Sequence, residues 1–174
     1  MASTDLPIQT RQLALCIDSV HTELLVQRFT DRILLLITQL DKVGTLYQAS
    51  APTNSVPAVQ RVRRPTAPEL EGLELPPPDP SLAISRLMGS APSEEQETLY
   101  HLYVSELASI VFGGLGTLPE GTDMDKYEPF AGRTVIIGLA LKDVRKARNE
   151  QEAMRVERST FAQVLKMALD CRVW

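Results

Sequence analysis

Hydrophobic and polar positions along the chain fall into blocks of different kinds, and residues 32–46, RILLLITQLDKVGTL, form the block around which the rest is organised. Ile33, Leu34, Leu35, Leu36 and Ile37 follow one another without a polar break. Successive side chains of a strand point to opposite faces, so an unbroken apolar run predicts a strand kept from water on both faces. The run is short for a buried helix and ends in the turn cluster Asp41-Lys42-Val43-Gly44, which favours the strand. Residues 45–49 then predict a strand returning across Gly44 as a hairpin. Upstream, residues 12–18 (QLALCID) and 23–29 (ELLVQRF) predict two strands joined by a short connection at 19–22. Short links imply an antiparallel meander, because parallel neighbours need a crossover of about a dozen residues or more.

Downstream, residues 82–88 (LAISRLM) predict a strand stopped by Gly89. Ser93-Glu94-Glu95-Gln96 has the spacing of a capping box, in which a serine hydroxyl and a glutamine amide satisfy the free backbone donors of a helix start. Leu99, Leu102, Tyr103, Leu107, Ile110 and Val111 recur at helical spacing behind it, giving a helix over about 94–112. Residues 134–141 (TVIIGLAL) are a second run apolar on both faces and are expected beside the first in the centre of the sheet. A charged piece leads to a last helix, with a cap at Asn149 to Glu152 and Met154, Phe161, Val164, Leu165, Ala168 and Leu169 along one face.

Residues 50–81 differ in kind, holding 8 of the chain's 12 prolines. Proline removes a backbone donor and breaks helix and central strand, so this stretch is expected to be a long, mostly disordered loop within a single domain spanning 1–174. Its Arg61-Val62-Arg63-Arg64 could bind an anion or serve nuclear import, though three arginines in a loop are ordinarily just solvated. The net charge of −4 is unevenly spread: residues 66–128 carry 12 acidic and 2 basic groups, between two mildly basic ends. That argues against nucleic acid, whose affinity comes from basic contacts to phosphates, and suits a protein partner chosen partly by charge.

Candidate chemistry is sparse. Cys16 and Cys171 are far apart in sequence, as are His21 and His101, so neither a metal set nor a disulfide framework is implied, and no cofactor is expected. The glycines of 113–117 follow a helix and precede Pro119, whereas a phosphate loop follows a strand and opens a helix. Asp123-Met124-Asp125 lacks the other ligands of a calcium loop. Lys142 and Asp143 at a strand end could serve a small enzyme but read more simply as a solvated turn. No apolar segment reaches the roughly 18 residues of a membrane span, and a cytoplasmic protein, with the nucleus also open to it, is expected.

The resulting fold class is α+β: a mainly antiparallel five- to six-stranded sheet with two helices on one face. Two strands apolar on both sides leave the other face in need of cover. A partner chain packing sheet on sheet, in a β-sandwich-like dimer, supplies it economically; loops folding back are the alternative. In the central strand Leu34, Leu36 and Leu40 share one face, assigned to the helices, and Ile33, Leu35, Ile37 and Gln39 share the other, assigned to the partner.

The ILLLITQLDKVGTL segment, the VIIGLALKD strand with Lys142 and Asp143, Leu87 to Gly89 before the first helix, and the terminal Cys-x-Val-Trp together resemble the proteasome assembly chaperone 3 family. The resemblance covers about residues 12–49 and 82–174. The proline-rich loop, residues 113–128 and the charged piece 144–158 depart from it. It implies a chaperone without enzymatic activity that pairs with a related assembly chaperone of the chaperone 4 type, or with itself, and holds proteasome α-type subunits while the α-ring forms. A dimeric roadblock-like or longin-like adaptor would share the strands and helices but not the terminal Cys-x-Val-Trp. The large apolar ring of Trp174, brought back by the last helix, is expected to bury against the domain.

Overall fold

A computed structural model describes residues 8–52, 70, 73, 75–76, 78–113, 134–146 and 149–174. The expectations for Arg61 to Arg64, for the glycines beyond Gly113 and for residues 123–125 lie outside the described residues. The elements run β1 (Gln9–Ile17), β2 (Val20–Arg28), β3 (Arg32–Thr38), β4 (Thr45–Ser50), β5 (Ala83–Met88), α1 (Glu94–Gly113), β6 (Thr134–Ala140) and α2 (Glu150–Asp170). The strands form one six-stranded sheet in the order β1-β2-β3-β6-β4-β5. Every neighbouring pair is antiparallel except β3 and β6. The fold is α+β with a mostly antiparallel sheet, as the sequence predicts, and its two strands apolar on both faces lie side by side at the centre.

β1 and β2 meet in a hairpin tighter than the sequence suggests. Only Asp18 and Ser19 intervene, both with positive φ (46° and 66°), as a two-residue type I′ turn requires. All nine residues of β1 are paired in unbroken register, from Gln9 opposite Arg28 to Ile17 opposite Val20.

The expected hairpin between β3 and β4 does not form. β6 lies between them, parallel to β3 and antiparallel to β4, with Leu35 opposite Ile137 and Ile137 opposite Tyr47. The connection from β3 therefore passes over the end of β6, and Gly44 is the point of contact. Its φ is +72°, and a Cβ there would lie 2.1 Å from the Leu139 carbonyl oxygen. The glycine thus permits a crossing rather than a tight turn.

One face of the sheet is covered by the helices. Leu24, Val26, Ile33, Leu35, Ile37, Tyr47, Ala49, Val135, Ile137 and Leu139 join α1 and α2 residues in one buried core. α1 starts at Ser93, whose Oγ accepts from the Gln96 backbone N–H at 3.2 Å. The reciprocal bond of a capping box, from the Ser93 N–H to the Gln96 side-chain oxygen, is not made; Gln96 is buried and its Nε2 has no hydrogen-bond partner. α2 starts as predicted, with the Asn149 side chain accepting from the Glu152 N–H at 2.9 Å.

The proline-rich segment is not solvated along its whole length. Ser50 already belongs to β4. At the other end Leu75 is buried, Leu70 and Leu73 pack on the core, and the Asp79 N–H donates to Ser109 Oγ at 3.2 Å. Pro76 sits so close to Gly113 that a Cβ on the glycine would be 2.9 Å away. α1 is thereby enclosed, and every residue from Glu106 to Phe112 is buried, which accounts for a helix whose second half is not amphipathic.

Candidate functional site

Among the described residues no helix lies on the other face of the sheet. Pairing registers place Leu25, Leu34, Leu36, Ile136 and Leu46 on it, each flanked in its own strand by buried residues. These five are half-buried. Gly138 lies among them, and a Cβ there would come within 2.5 Å of Leu36 Cδ2 and 3.0 Å of Leu46 Cδ2. The two leucines therefore close over bare backbone, joining the apolar side chains of β3 and β4 across β6. Gln27, Thr38, Gln48 and Ser50 border this stripe on the same face. A groove of about 640 Å³ meets the stripe at Leu25 and Leu36 and is lined further by Gln12, Ala14, Glu23, Thr38, Asp41, Lys42 and Val43. Its character is that of an interaction surface: apolar at the centre, polar at the rim.

The residues assigned to a partner from the sequence lie on the opposite side. Ile33 and Leu35 are 0 % exposed and Ile37 is 1 % exposed, all beneath the helices. Gln39 is held there too, donating to Thr22 Oγ1 at 2.9 Å and accepting from the Lys142 N–H at 3.0 Å. Leu34 and Leu36, assigned to the helices, face outward, and Leu40 is exposed at the turn. The error is one of parity. Both faces of β3 are aliphatic, Ile33, Leu35 and Ile37 on one and Leu34 and Leu36 on the other, so that strand alone cannot tell its two faces apart. Its neighbours can: in β2 Leu24 and Val26 share one face while Glu23 and Gln27 lie with Leu25 on the other, and in β4 Tyr47 and Ala49 alternate with Gln48 and Ser50. Pairing those strands to the centre identifies the core face.

Polar groups elsewhere hold structure together. Tyr47 donates its hydroxyl to Glu97 Oε1 at 3.0 Å, and Arg86 Nη1 reaches Glu97 Oε2 at 3.3 Å, tying β4, β5 and α1. Burial first, and then the bond to the Glu97 carboxylate, push the Tyr47 phenol well above its ordinary pKa. Asp143 Oδ1 accepts from the Arg145 N–H at 3.1 Å and Oδ2 lies 3.6 Å from Lys146 Nζ, the geometry of a turn. Cys16 is exposed and Cys171 buried, with the Cys171 thiol pushed up mainly by burial. Among the described residues no group of three or more His, Cys, Asp or Glu side chains is placed to hold a metal ion, and no helix is long and apolar enough to cross a membrane. Trp174 packs against the core, where the sequence predicts it.

No protein-family model matches the chain. A stretch of 36 residues is 56% identical to Proteasome assembly chaperone 3 from Nematostella vectensis, covering 21% of this chain and 27% of that protein. The chain is similar to proteasome assembly chaperone 3. That match takes in about a quarter of the relative's length. A solved structure, described as a novel chaperone complex for yeast 20S proteasome assembly, aligns over 92% of this chain and 98% of that one with a TM-score of 0.44 and 13% identity.

Proposed function

We propose that this chain is a proteasome assembly chaperone without enzymatic activity. It pairs with a related assembly chaperone, of the chaperone 4 type, and the pair holds α-type subunits while the α-ring of the core particle forms, in the cytoplasm and the nucleus. The observation that carries this reading is the 36-residue stretch at 56% identity to Proteasome assembly chaperone 3. The sheet face on which no helix lies among the described residues supports the pairing. Its stripe of Leu25, Leu34, Leu36, Leu46 and Ile136 is suited to a second sheet stacked about 10 Å away, and the enclosed charge of an aspartate at its centre would oppose such stacking.

The test is affinity capture of the tagged chain from its own cells with mass spectrometry, run beside Leu36→Asp. The expected outcome is co-purification of a related assembly chaperone and proteasome α-type subunits, lost in Leu36→Asp while circular dichroism and melting of the purified variant stay near those of the parent. Leu35→Asp places the charge beneath the helices and is expected to unfold the chain instead. A catch of small-GTPase regulators without proteasome subunits would replace the reading with that of a roadblock-like or longin-like adaptor.

A further inference from the structure

The two edges of the sheet are not alike. β5 is 6 residues long, its register with β4 is interrupted between Leu46 and Tyr47, and it carries Arg86 in an ion pair with Glu97. Short length, an irregularity and a charge are the usual protections of an edge against pairing with another chain. β1 is less protected: it is 9 residues long, paired without interruption on its inner side and free of proline, and its single charge, Arg11, sits near its start and leaves Gln12 to Ile17 uncharged. Thr10, Gln12, Ala14 and Cys16 are exposed, and Leu15 is 39% exposed.

The hairpin fixes which backbone groups are offered. A two-residue turn closes on a hydrogen-bonded pair, here Ile17 with Val20, and such pairs alternate along an antiparallel ladder. Ile17, Leu15, Leu13 and Arg11 therefore bond inward to β2. The N–H and C=O of Cys16, Ala14, Gln12 and Thr10 point outward from the edge.

We propose that β1 pairs antiparallel with β1 of a second copy about a two-fold axis through Leu13, making one continuous sheet across two chains. This is independent of the chaperone reading. Full overlap of Gln9–Ile17 with itself sets the register: Leu13 meets Leu13, Gln12 meets Ala14 and Thr10 meets Cys16. The outward-pointing residues then face one another as hydrogen-bonded pairs, giving about eight intermolecular backbone bonds. The charge pattern suits a copy of this strand. Arg11, its one charged residue, falls opposite Leu15 of the other chain and not opposite another arginine, so no like charges meet, and its aliphatic stem can cover that exposed leucine. α2 packs over β1 and β2. At ordinary strand spacing the two α2 helices would run about 10 Å apart across the axis, a normal packing distance that adds area beyond the edge itself.

The register supplies its own test, because it brings position 10 of one chain against the native Cys16 of the other at a separation a disulfide can span. Within one chain the two positions lie too far apart along the strand to bond. The purified full-length chain carrying Thr10→Cys is expected to give a disulfide-linked dimer on mild oxidation. The parent, and Thr10→Cys combined with Cys16→Ser, are expected not to, which separates a fixed register from random collision. Adding Ala14→Pro to Thr10→Cys removes an outward N–H that β2 does not use, and is expected to abolish the dimer while leaving the circular dichroism spectrum unchanged. Absence of the Thr10→Cys dimer overturns the proposal, as does equal cross-linking of the parent or of the chain carrying both Thr10→Cys and Cys16→Ser. If the proline variant does not fold, the comparison of cysteine variants decides alone.

Discussion

The indole Nε1 of Trp174 is shielded from solvent and has no hydrogen-bond partner, although the ring packs on the core. Its two properties pull in opposite directions: apolar area stabilises the chain, and a buried unpaired donor costs about 1 to 3 kcal/mol. Trp174→Ala removes both and is expected to destabilise by about 2 kcal/mol, less than a central aromatic truncation because the ring is only half-buried. Trp174→Phe keeps most of the ring and drops the donor, so it is expected to lie within about 0.5 kcal/mol of the parent. Urea denaturation of both variants checks the pair, and a phenylalanine as damaging as alanine would show that the indole nitrogen is satisfied after all. The burial of Trp174 was legible because a large apolar residue directly follows a helix that returns to the sheet. The parity of Ile33 to Ile37 was not, because both faces of that run are equally apolar and only cross-strand partners distinguish them.

At the scale of elements, α1 owes its enclosure to a segment whose composition conceals it. Leu70, Leu73 and Leu75 reach the core from a stretch in which prolines dominate, and proline content speaks to the absence of helix and strand, not to the absence of packing. An expectation that this segment adds few contacts follows from composition and is corrected by Leu75, which is 3% exposed. Leu75→Ala is expected to cost about 2 to 3 kcal/mol by cavity formation, and deletion of 70–79 to cost more, since it also strips the Asp79 bond from Ser109. A calorimetric melting temperature unchanged by Leu75→Ala would remove the segment from the core. Helix starts were better read than the links between strands. The cap at Asn149 and the first bond of Ser93 are local chemistry, whereas the partner of β4 is chosen by a strand more than eighty residues away. Gly44 satisfies a tight turn and a crossing equally well on paper; the 2.1 Å approach to the Leu139 carbonyl selects the crossing.

For the whole molecule, the sequence conveyed the layers but not the strand order. Both two-face-apolar runs were visible, and their apolarity alone put them at the sheet centre; that they run parallel required knowing that the chain makes β4, β5 and α1 before it returns. A chain ending at residue 133 lacks β6, which leaves β3 unpaired on one side and detaches β4 and β5 from the rest of the sheet. Such a truncation is expected to show no cooperative unfolding transition in urea, and a two-state transition with native-like circular dichroism would refute the central role given to β6. The same wedge has a meaning during synthesis. Translation at about 5 to 20 residues per second puts about 5 to 20 s between the emergence of β4 and of β6. For that interval the nascent chain displays its most apolar strand with an open edge. A cell making this protein must shield or outpace that strand every time a ribosome traverses the message.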